Sequence, residues 1–374
     1  GNIDSCDQKI QFAFNRKNIG ENYKEWINSI SLGDIITISG TVWTSSTGQK
    51  TVLVSDYKML QKSQSVFPDK WNGISDVETK RKKRWLDCIV NPQSREIFKK
   101  RANLISLLRR FLESNGFMEV ETPILTPQAS GAQAKPFVTH HNSLDRDFYL
   151  RIAPETYLKR MIGAGFEKVF EIGKQFRNEG MSPAHLQEFT SIEWYVAGFD
   201  YIDNLDLFNR FLLEIDEERF NNIPRVTYME LFERNGKNPL EMSAKDADEY
   251  FKKNIRPTLV SPVFVLDYPA HMSPLAARKP TDSNFVEQWQ FIANGWELVK
   301  CYTELTDPIL QRNLLENQMK ERTAGDEEAM MIEEDFLECM EHGMPPMSGL
   351  GLGIDRFFAY LHNIENIRDV VFFG

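Results

Sequence analysis

Charged residues interrupt two apolar, strand-like runs in the segment FRNEGMSPAHLQEFTSIEWY, which ends at Tyr195. The period of two in a β-strand places Arg177 and Glu179 on one face of the first run, and Glu193 and Tyr195 share a face of the second. Burying a charged side chain is costly unless it meets a partner or a ligand. The pattern favours a polar binding site on a sheet, and the alternative is a solvated sheet face with ion pairs.

Glycines occupy every other position of a second strand-like run, SGLGLGIDRFFAYL, at Gly349, Gly351 and Gly353. Glycine inside a strand costs about 0.5–1 kcal/mol, so three in phase suggest that something flat or bulky lies against the bare backbone. A helix is predicted to begin next, and its Arg356 could reach a phosphate. The spacing matches neither a P-loop nor a dinucleotide-binding loop. Tight packing of the strand against the helix is the alternative.

A third run, ELVKCYTELTDP, begins at Glu297 and also alternates. On a regular strand Lys300, Tyr302 and Glu304 would line one face and Glu297 the other, unless a bulge intervenes. Taken alone, this pattern is equally typical of an amphipathic strand with ordinary surface charges.

The elements that precede these segments begin with a β-rich region. Strand-like runs lie at residues 8–14, 33–43 and 49–60, with a Thr47-Gly48 turn between the last two. These runs predict part of a small antiparallel barrel. The residues that follow, up to Arg84, have little periodicity and include a basic run, which is typical of a linker.

A strong helix is predicted next, because Asn91 can cap it, Pro92 suits its first turn, and apolar residues keep helical spacing until Gly116. Beyond it, strand-like runs such as FMEVETPIL, EKVFEIGKQF and PVFVLDY are interleaved with helical segments. This order predicts an α+β fold with a largely antiparallel sheet flanked by helices.

The composition sets outer limits on the function. With 374 residues, 41% hydrophobic and 26% charged, the chain is globular and long enough for about two domains. It contains no apolar stretch of membrane-spanning length and no signal peptide, so we expect a cytoplasmic protein without a membrane partner. The four cysteines form no CxxC pair, which argues against a zinc site or a disulfide framework. A net charge of −10 disfavours unspecific binding to DNA but leaves room for an RNA substrate on a local basic face.

Together, and in this order, the segments resemble the signature motifs of class II aminoacyl-tRNA synthetases. EVETPIL, with Pro123, is similar to motif 1; FRNEG…EFTSIEWY is similar to motif 2; and GLGLGIDRF is similar to motif 3. PFVTHHNSLDRDFYLRIAPETYLKR and SPLA resemble the lysyl-tRNA synthetase branch, in which an anticodon-binding OB barrel precedes the catalytic domain. The resemblance implies a partial OB-type barrel at residues 1–64, a linker at 65–88 and a catalytic domain at 89–374.

The resemblance also implies the reaction. ATP and lysine would form lysyl-adenylate, which then esterifies the terminal adenosine of tRNA(Lys), with Mg²⁺ offsetting the phosphate charge. Motif 1 builds the subunit interface in this class, so a homodimer formed around Pro123 is expected. Arg177 would bridge the lysine carboxylate and the α-phosphate, and Arg356 would bind the γ-phosphate. The remaining positions that match nucleotide or metal contacts are Glu179, His185, Phe189, Gly351 and Gly353 for ATP, and Glu297 and Gln290 for the metal.

A substrate with two ammonium groups needs carboxylates, whereas an aspartate pocket would need a basic residue. By resemblance, Glu155 and the carbonyl of Gly131 contact the α-amino group, and Glu304 and Tyr195 contact the ε-ammonium group. The full set of residues that match lysine contacts is Gly131, Glu155, Arg177, Glu193, Tyr195, Tyr302 and Glu304.

The sequence departs from the family pattern at several positions. Leu186-Gln187 stands where many members have Asn-Pro, neutral Gln290 replaces an acidic metal ligand, and Lys300 replaces a customary asparagine. We interpret these as variation within the branch. The chain begins within the expected barrel, so Lys9, Phe12 and Phe14 either contact RNA or belong to the core. Two other functions remain open: a non-catalytic paralogue that binds tRNA or nucleotide, and an enzyme that lysylates a protein.

Overall fold

The computed structural model describes residues 1–5, 8–44, 48–65 and 74–373. They form two compact units, Gly1–Ile97 and Phe98–Gly374. None of the helices in this described part combines the length and the apolar character that a membrane span requires.

The first unit contains a four-stranded sheet accompanied by short helices. Its strands are β1 (Asn2–Ser5), β2 (Gln8–Phe14), β3 (Ile35–Thr44) and β4 (Lys50–Gln61). Its helices are α1 (Arg16–Ile19), α2 (Tyr23–Ser29), α3 (Val77–Lys82) and α4 (Arg84–Val90). The sheet order is β1-β2-β4-β3, with β2 and β4 parallel and the other neighbours antiparallel. The three strands expected here are confirmed, and Thr47 of the expected turn lies outside the described residues.

The aromatic side chains of this unit pack against one another. Phe14 contacts Trp26 and Tyr57 edge to face, with ring centroids 5.8 and 6.0 Å apart, and Phe12 is buried. These contacts favour the core interpretation of Phe12 and Phe14. The described strands form an open sheet. Of the expected linker, residues 66–73 lie outside the described part and the remainder includes α3 and α4.

The long helix predicted from Pro92 to just before Gly116 is α5 (Pro92–Ser114). Its periodic apolar residues Leu104, Leu108 and Phe111 are buried, as the helical spacing predicts. Gly116 follows with φ 83°, the left-handed conformation that commonly ends a helix. The predicted helix is therefore confirmed at both ends.

The second unit is built on one large sheet. After α5 its helices are α6 (Glu155–Gly163), α7 (Tyr201–Ile215), α8 (Glu217–Phe220), α9 (Tyr228–Glu233), α10 (Ala244–Tyr250), α11 (Pro308–Thr323), α12 (Glu334–Glu341) and α13 (Ile354–Leu361). Its strands are β5 (Met118–Glu119), β6 (Leu125–Thr126), β7 (Phe137–His141), β8 (Arg146–Leu150), β9 (Lys168–Phe176), β10 (Glu188–Ala197), β11 (Arg225–Thr227), β12 (Val263–Pro269), β13 (Phe285–Ala293), β14 (Trp296–Thr303) and β15 (Met347–Gly353).

Eight of these strands form the central sheet in the order β11-β12-β13-β14-β15-β10-β9-β5, and β6-β8-β7 form a small separate sheet. Only the edge pairs β11–β12 and β5–β9 of the central sheet are parallel. The predicted α+β fold with a largely antiparallel sheet is confirmed.

One face of the central sheet is apolar and packs against α7. Trp194 of β10 and Trp289 of β13 are fully buried on this face, and the indole Nε1 of Trp194 donates to Asn204 of α7 over 2.8 Å. Phe208 of α7 stacks on Trp289 with ring centroids 5.8 Å apart. Because strand side chains alternate, the intervening residues face the other side of the sheet, which leaves that side for polar side chains.

Two local predictions were wrong. FMEVETPIL forms strand only at its ends, in β5 and β6, since Pro123 between them has no N–H to donate to a ladder. β9 ends at Phe176, so Arg177 and Glu179 lie in the following loop rather than on a strand face. For the third run the bulge that the sequence analysis left open does occur: a register shift in the pairing of β13 with β14 places Glu297 opposite Ile292 and Val299 opposite Phe291.

Candidate active site on the central sheet

The strand register brings the polar residues of the predicted motifs into two rows across the open face of the sheet. In the first row Gln290 pairs with Lys300, Lys300 with Gly351, and Gly351 with Glu193. In the second row Gln288 pairs with Tyr302, Tyr302 with Gly349, and Gly349 with Tyr195. A glycine therefore lies in the middle of each row, between side chains that converge from both sides.

The three glycines of β15 differ in how much room surrounds them. A Cβ atom at Gly349 would overlap the ring of Tyr195 and the carboxylate of Glu304. At Gly351 it would make an ordinary contact of 3.6 Å with Cγ of Glu193, and at Gly353 nothing lies within 4 Å. Gly349 is thus required by the packing of the site, whereas the space above Gly353 is open, as a strand that lies beneath a ligand requires.

Two buried carboxylates lie beside the second row. Glu155 is the first residue of α6, and its Oε1 accepts a hydrogen bond of 2.7 Å from the Tyr302 hydroxyl. Glu304 follows β14, is 2% exposed, and its N–H donates to the carbonyl of Met347 over 2.9 Å. Gly131 packs against Glu155: its φ is 84°, and an added Cβ would lie 3.2 Å from that of Glu155. The structure thus brings together the residues expected to contact both ends of lysine.

The carboxylates already hold one internal cation that the sequence analysis missed. Lys159 lies one helical turn after Glu155, and its side chain is completely buried. Its Nζ lies 2.6 Å from Oε1 of Glu155 and forms a second ion pair with Glu304. The (i, i+4) spacing of a glutamate and a lysine at the start of a helix was the only signal in the sequence, and such pairs are usually on the surface.

Glu193 completes this acidic group, which we call the carboxylate cluster (Glu155, Glu193 and Glu304). Burial, together with repulsion from Glu155, raises the pKa of Glu193 from 4.5 to about 8, against the attraction of Arg177. The Tyr195 hydroxyl donates to Glu193 over 3.3 Å. Burial also raises the pKa of Glu304, and its Oε1 has no hydrogen-bond donor among the described residues. The carboxylate cluster is therefore short of positive charge.

A group of cations lies at the other end of the open face. The Arg177 guanidinium lies 5.2 Å from the centroid of the Phe189 ring, and its Nε is buried without a partner in the described residues. Arg356 donates to the carbonyls of Ala184 (2.7 Å) and Glu297 (3.3 Å). Both predicted phosphate-binding arginines are thus held in place by ring or backbone contacts, and neither forms an ion pair with a carboxylate of the described residues.

The pKa of His185 reflects the positive charge of this region. Burial, followed by the repulsion of Arg356, Arg256, Arg177 and Lys252, lowers its pKa from 6.5 to about 4. Its Nδ1 lies 2.7 Å from Oγ of Ser182 within the motif 2 loop. A neutral histidine among four cations is suited to a polyanionic ligand.

Arg256 and Lys252 were not predicted from the sequence. They lie in the helical turns after α10, in a region without a recognised motif. The Nε of Arg256 is buried and has no acceptor among the described residues. Glu179, which was predicted, weakly attracts Arg356, and its carbonyl accepts from Nε2 of Gln187 over 3.0 Å. Gln187 therefore has a structural role in this loop.

Of the two expected metal ligands, Gln290 lies at the end of the first row, and Glu297 pairs with Ile292 outside that row. Oε1 of Gln290 accepts a 2.7 Å hydrogen bond from the Tyr268 hydroxyl, and burial, followed by the negative charge of Glu297, raises the pKa of Tyr268. Lys300, beside Gln290, points its ammonium over the Tyr302 ring at 5.5 Å. No group of three or more His, Cys, Asp or Glu side chains that could hold a metal occurs in the described residues. An ion here would need ligands from phosphate or water.

Comparison with known proteins identifies the family to which this arrangement belongs. Residues 76–374 match the family of tRNA synthetases class II (D, K and N). The chain belongs to this family. The match includes all of the site residues described above.

Similar class II synthetases extend the comparison over the rest of the chain. The chain is 40% identical to the lysine–tRNA ligase of Aquifex aeolicus, over 100% of this chain and 69% of the relative. It is 38% identical to the lysine–tRNA ligase of Clostridium tetani, over 98% of this chain and 81% of the relative. It is 40% identical to that of Prochlorococcus marinus, over 92% of this chain and 75% of the relative.

Proposed function

We propose that this chain is a lysine–tRNA ligase. The observation that carries the proposal is the carboxylate cluster: three glutamates, with one internal lysine, face the same open side of a class II synthetase sheet. An acidic pocket that lacks positive charge is suited to a substrate with two ammonium groups. The names of the relatives, all lysine–tRNA ligases, support the same substrate.

The reaction uses the two ends of the open face. A lysine carboxylate oxygen attacks the α-phosphorus of ATP, the bond from that phosphorus to the bridging oxygen breaks, and pyrophosphate leaves. Arg177 lies between the carboxylate cluster and the cations, where it can contact both the attacking carboxylate and the α-phosphate. It also stabilises charge that grows in the transition state. A hydroxyl of the terminal adenosine of tRNA then attacks the carbonyl carbon, and AMP leaves.

We assign the nucleotide to the cationic end. Arg356 and Arg256 are suited to the β- and γ-phosphates, Phe189 to the adenine ring, and neutral His185 to a hydrogen bond with phosphate or ribose. The backbone at Gly351 and Gly353 would lie beneath the nucleotide. Arg356, Phe189 and His185 are held by contacts that do not need the ligand, so this part of the site is preorganised.

Mg²⁺ is part of this proposal. Glu297 and Gln290 would hold it, and the ion would offset the charge of the triphosphate. Gln290 fits as a weak ligand only, because the Tyr268 hydroxyl already occupies one lone pair of its Oε1. We therefore assign most of the ligands of the ion to phosphate oxygens and water.

The remaining assignments follow from the family. We propose a cytoplasmic homodimer with Pro123 in the subunit interface, and an OB-type domain at residues 1–64 that contacts tRNA. A linker at 65–88 and a catalytic domain at 89–374 complete the organisation.

Lysine-dependent exchange of pyrophosphate into ATP is the test. We expect exchange with lysine and none with aspartate, followed by transfer of lysine to tRNA(Lys). A folded protein without lysine-dependent exchange would contradict the proposal and favour a non-catalytic paralogue. Exchange with lysine but no transfer to tRNA would indicate a different acceptor, such as a protein.

A further inference from the structure

Lys159 is the only buried lysine in the described part of the chain, and its side chain is 0% exposed. Two hydrogens of its ammonium group face Glu155 and Glu304, the two carboxylates assigned to opposite ends of the substrate. The Tyr302 and Phe336 rings lie 5.6 and 5.7 Å from its Nζ. These neighbours enclose the ammonium group, so its position is set by the two glutamates and the two rings.

The protonation of Lys159 follows from its partners. Burial opposes the charge on its ammonium group, but attraction by Glu155 and Glu304 outweighs burial and raises its pKa above the ordinary value. A neutral lysine here would leave two carboxylates without a counter-charge in a dry environment, which is strongly unfavourable.

The positive charge of Lys159 also determines the net charge of the pocket. In the free protein at pH 7 Glu193 keeps its proton, so Glu155, Glu304 and Lys159 together carry a net charge of −1; loss of the Glu193 proton when lysine binds brings the net charge of the pocket to −2. Lysine brings two ammonium groups, while its carboxylate is assigned to Arg177. The pocket with Lys159 therefore balances a dicationic amino acid, whereas the same pocket without Lys159 would hold one negative charge too many.

We propose that Lys159 is a positioning residue for substrate specificity: it keeps Glu155 and Glu304 ionised and oriented, so that the site selects an amino acid with two ammonium groups. The inference rests on the proposed lysine specificity. Without Lys159, two adjacent buried carboxylates cannot both ionise, and one takes up a proton. A protonated Glu304 would lose its preference for an ε-ammonium group over a neutral hydroxyl group.

The test compares K159M with K253M in pyrophosphate exchange. Methionine keeps the length of the side chain and removes the charge. Lys253 is the matched control, because it forms an exposed (i, i+4) pair with Glu249 at 3.0 Å. We expect K159M to raise the KM for lysine at least thirtyfold while the KM for ATP changes less than threefold, and K253M to behave like the parent.

Selectivity and pH separate this role from a purely structural one. In K159M the preference for lysine over 6-hydroxynorleucine, which has a hydroxyl at the end of its side chain, should fall at least tenfold. The ratio of the lysine KM of K159M to that of the parent should decrease from pH 7 to pH 9, because the shared proton is lost; taking this ratio cancels the titration of lysine itself. A raised KM with unchanged selectivity and a pH-independent ratio would overturn the proposal.

A double-mutant cycle covers the case in which K159M does not fold. K159M/E304Q removes both members of the ion pair and leaves no unpaired charge at Glu304. We expect its lysine KM to lie within about threefold of that of E304Q alone, since Glu155, no longer beside a second carboxylate at position 304, can ionise without Lys159. A further increase of thirtyfold in the double variant would overturn the proposal. Failure of the proposed function is a separate result, because the parent protein itself would then show no lysine-dependent exchange.

Discussion

Replacing Glu193 with glutamine should stabilise the free protein and weaken lysine binding. The folded state holds a proton on Glu193 up to about pH 8, whereas the unfolded chain releases it near pH 4.5. Between these values the folded state binds more protons than the unfolded state, so stability falls as the pH rises. Glutamine does not titrate, and its amide oxygen can still accept the hydrogen bond from Tyr195. The increase in the free energy of unfolding from E193Q should therefore be small at pH 5 and largest near pH 8.

The structure sets the size of this effect. A carboxyl pKa raised from 4.5 to about 8 corresponds to at most about 5 kcal/mol at pH 8. The side chain of Glu193 is only partly buried. Screening by solvent therefore reduces this free energy to about 2 kcal/mol. For a unit of the size of the second unit, a gain of this free energy in E193Q corresponds to a rise in Tm of about 3 °C.

The assay is thermal unfolding of E193Q, the parent and E188Q at pH 5, 6.5 and 8. Glu188 lies on the same strand, with its side chain 57% exposed, and serves as the control. The difference in Tm between E193Q and the parent should grow with pH, and E188Q should show no such trend. A difference that is the same at all three pH values would refute the electrostatic explanation.

In the parent, lysine binding at pH 7 should release protons, detected by calorimetry in buffers of different ionisation enthalpy, and E193Q should release fewer.

Other substitutions test the remaining parts of the site. R177A should lower the exchange rate at least about a hundredfold while circular dichroism stays unchanged, because it removes charge needed at the α-phosphate; a rate within threefold of the parent would exclude this role. R256Q should raise the KM for ATP about tenfold and leave the KM for lysine unchanged, and the opposite result would place Arg256 in the lysine pocket. G349A should impair lysine binding, because its methyl group overlaps Tyr195 and Glu304. G353A has open space around the new methyl group and should leave lysine binding unchanged, so that any effect falls on ATP binding. Equal effects of the two substitutions on lysine binding would contradict this assignment of the two glycines.

Periodicity and spacing predicted the parts of the fold in which local sequence decides the structure. The helix from Pro92 is amphipathic along its whole length, and the glycines from Gly349 to Gly353 alternate as a strand requires. These features do not depend on distant neighbours. The end of β9 before Arg177 and the register shift beside Glu297 depend on the partner strands, which sequence spacing does not reveal.

In the candidate site, too, some residues could be predicted from the sequence and others depend on contacts that form only in the folded chain. Glu155 and Glu304 were predicted because they match motif positions, and the structure brings both onto Lys159. Lys159 itself was missed, because a glutamate and a lysine four residues apart on a helix usually form a surface pair. Arg256 was missed because its proximity to His185 arises only in the folded chain.

The position of β15 has a consequence for how the second unit opens and closes. This strand pairs with β10 on one side and β14 on the other, so it joins the two halves of the central sheet. It carries the glycines that we propose to lie beneath both ligands, and Arg356 follows it in α13. Detachment of β15 would therefore remove the backbone beneath the proposed lysine pocket and the proposed nucleotide site in one event. Amide hydrogens on β10, β14 and β15 should exchange together, in a single cooperative opening, and no partly opened molecule would keep one substrate site without the other.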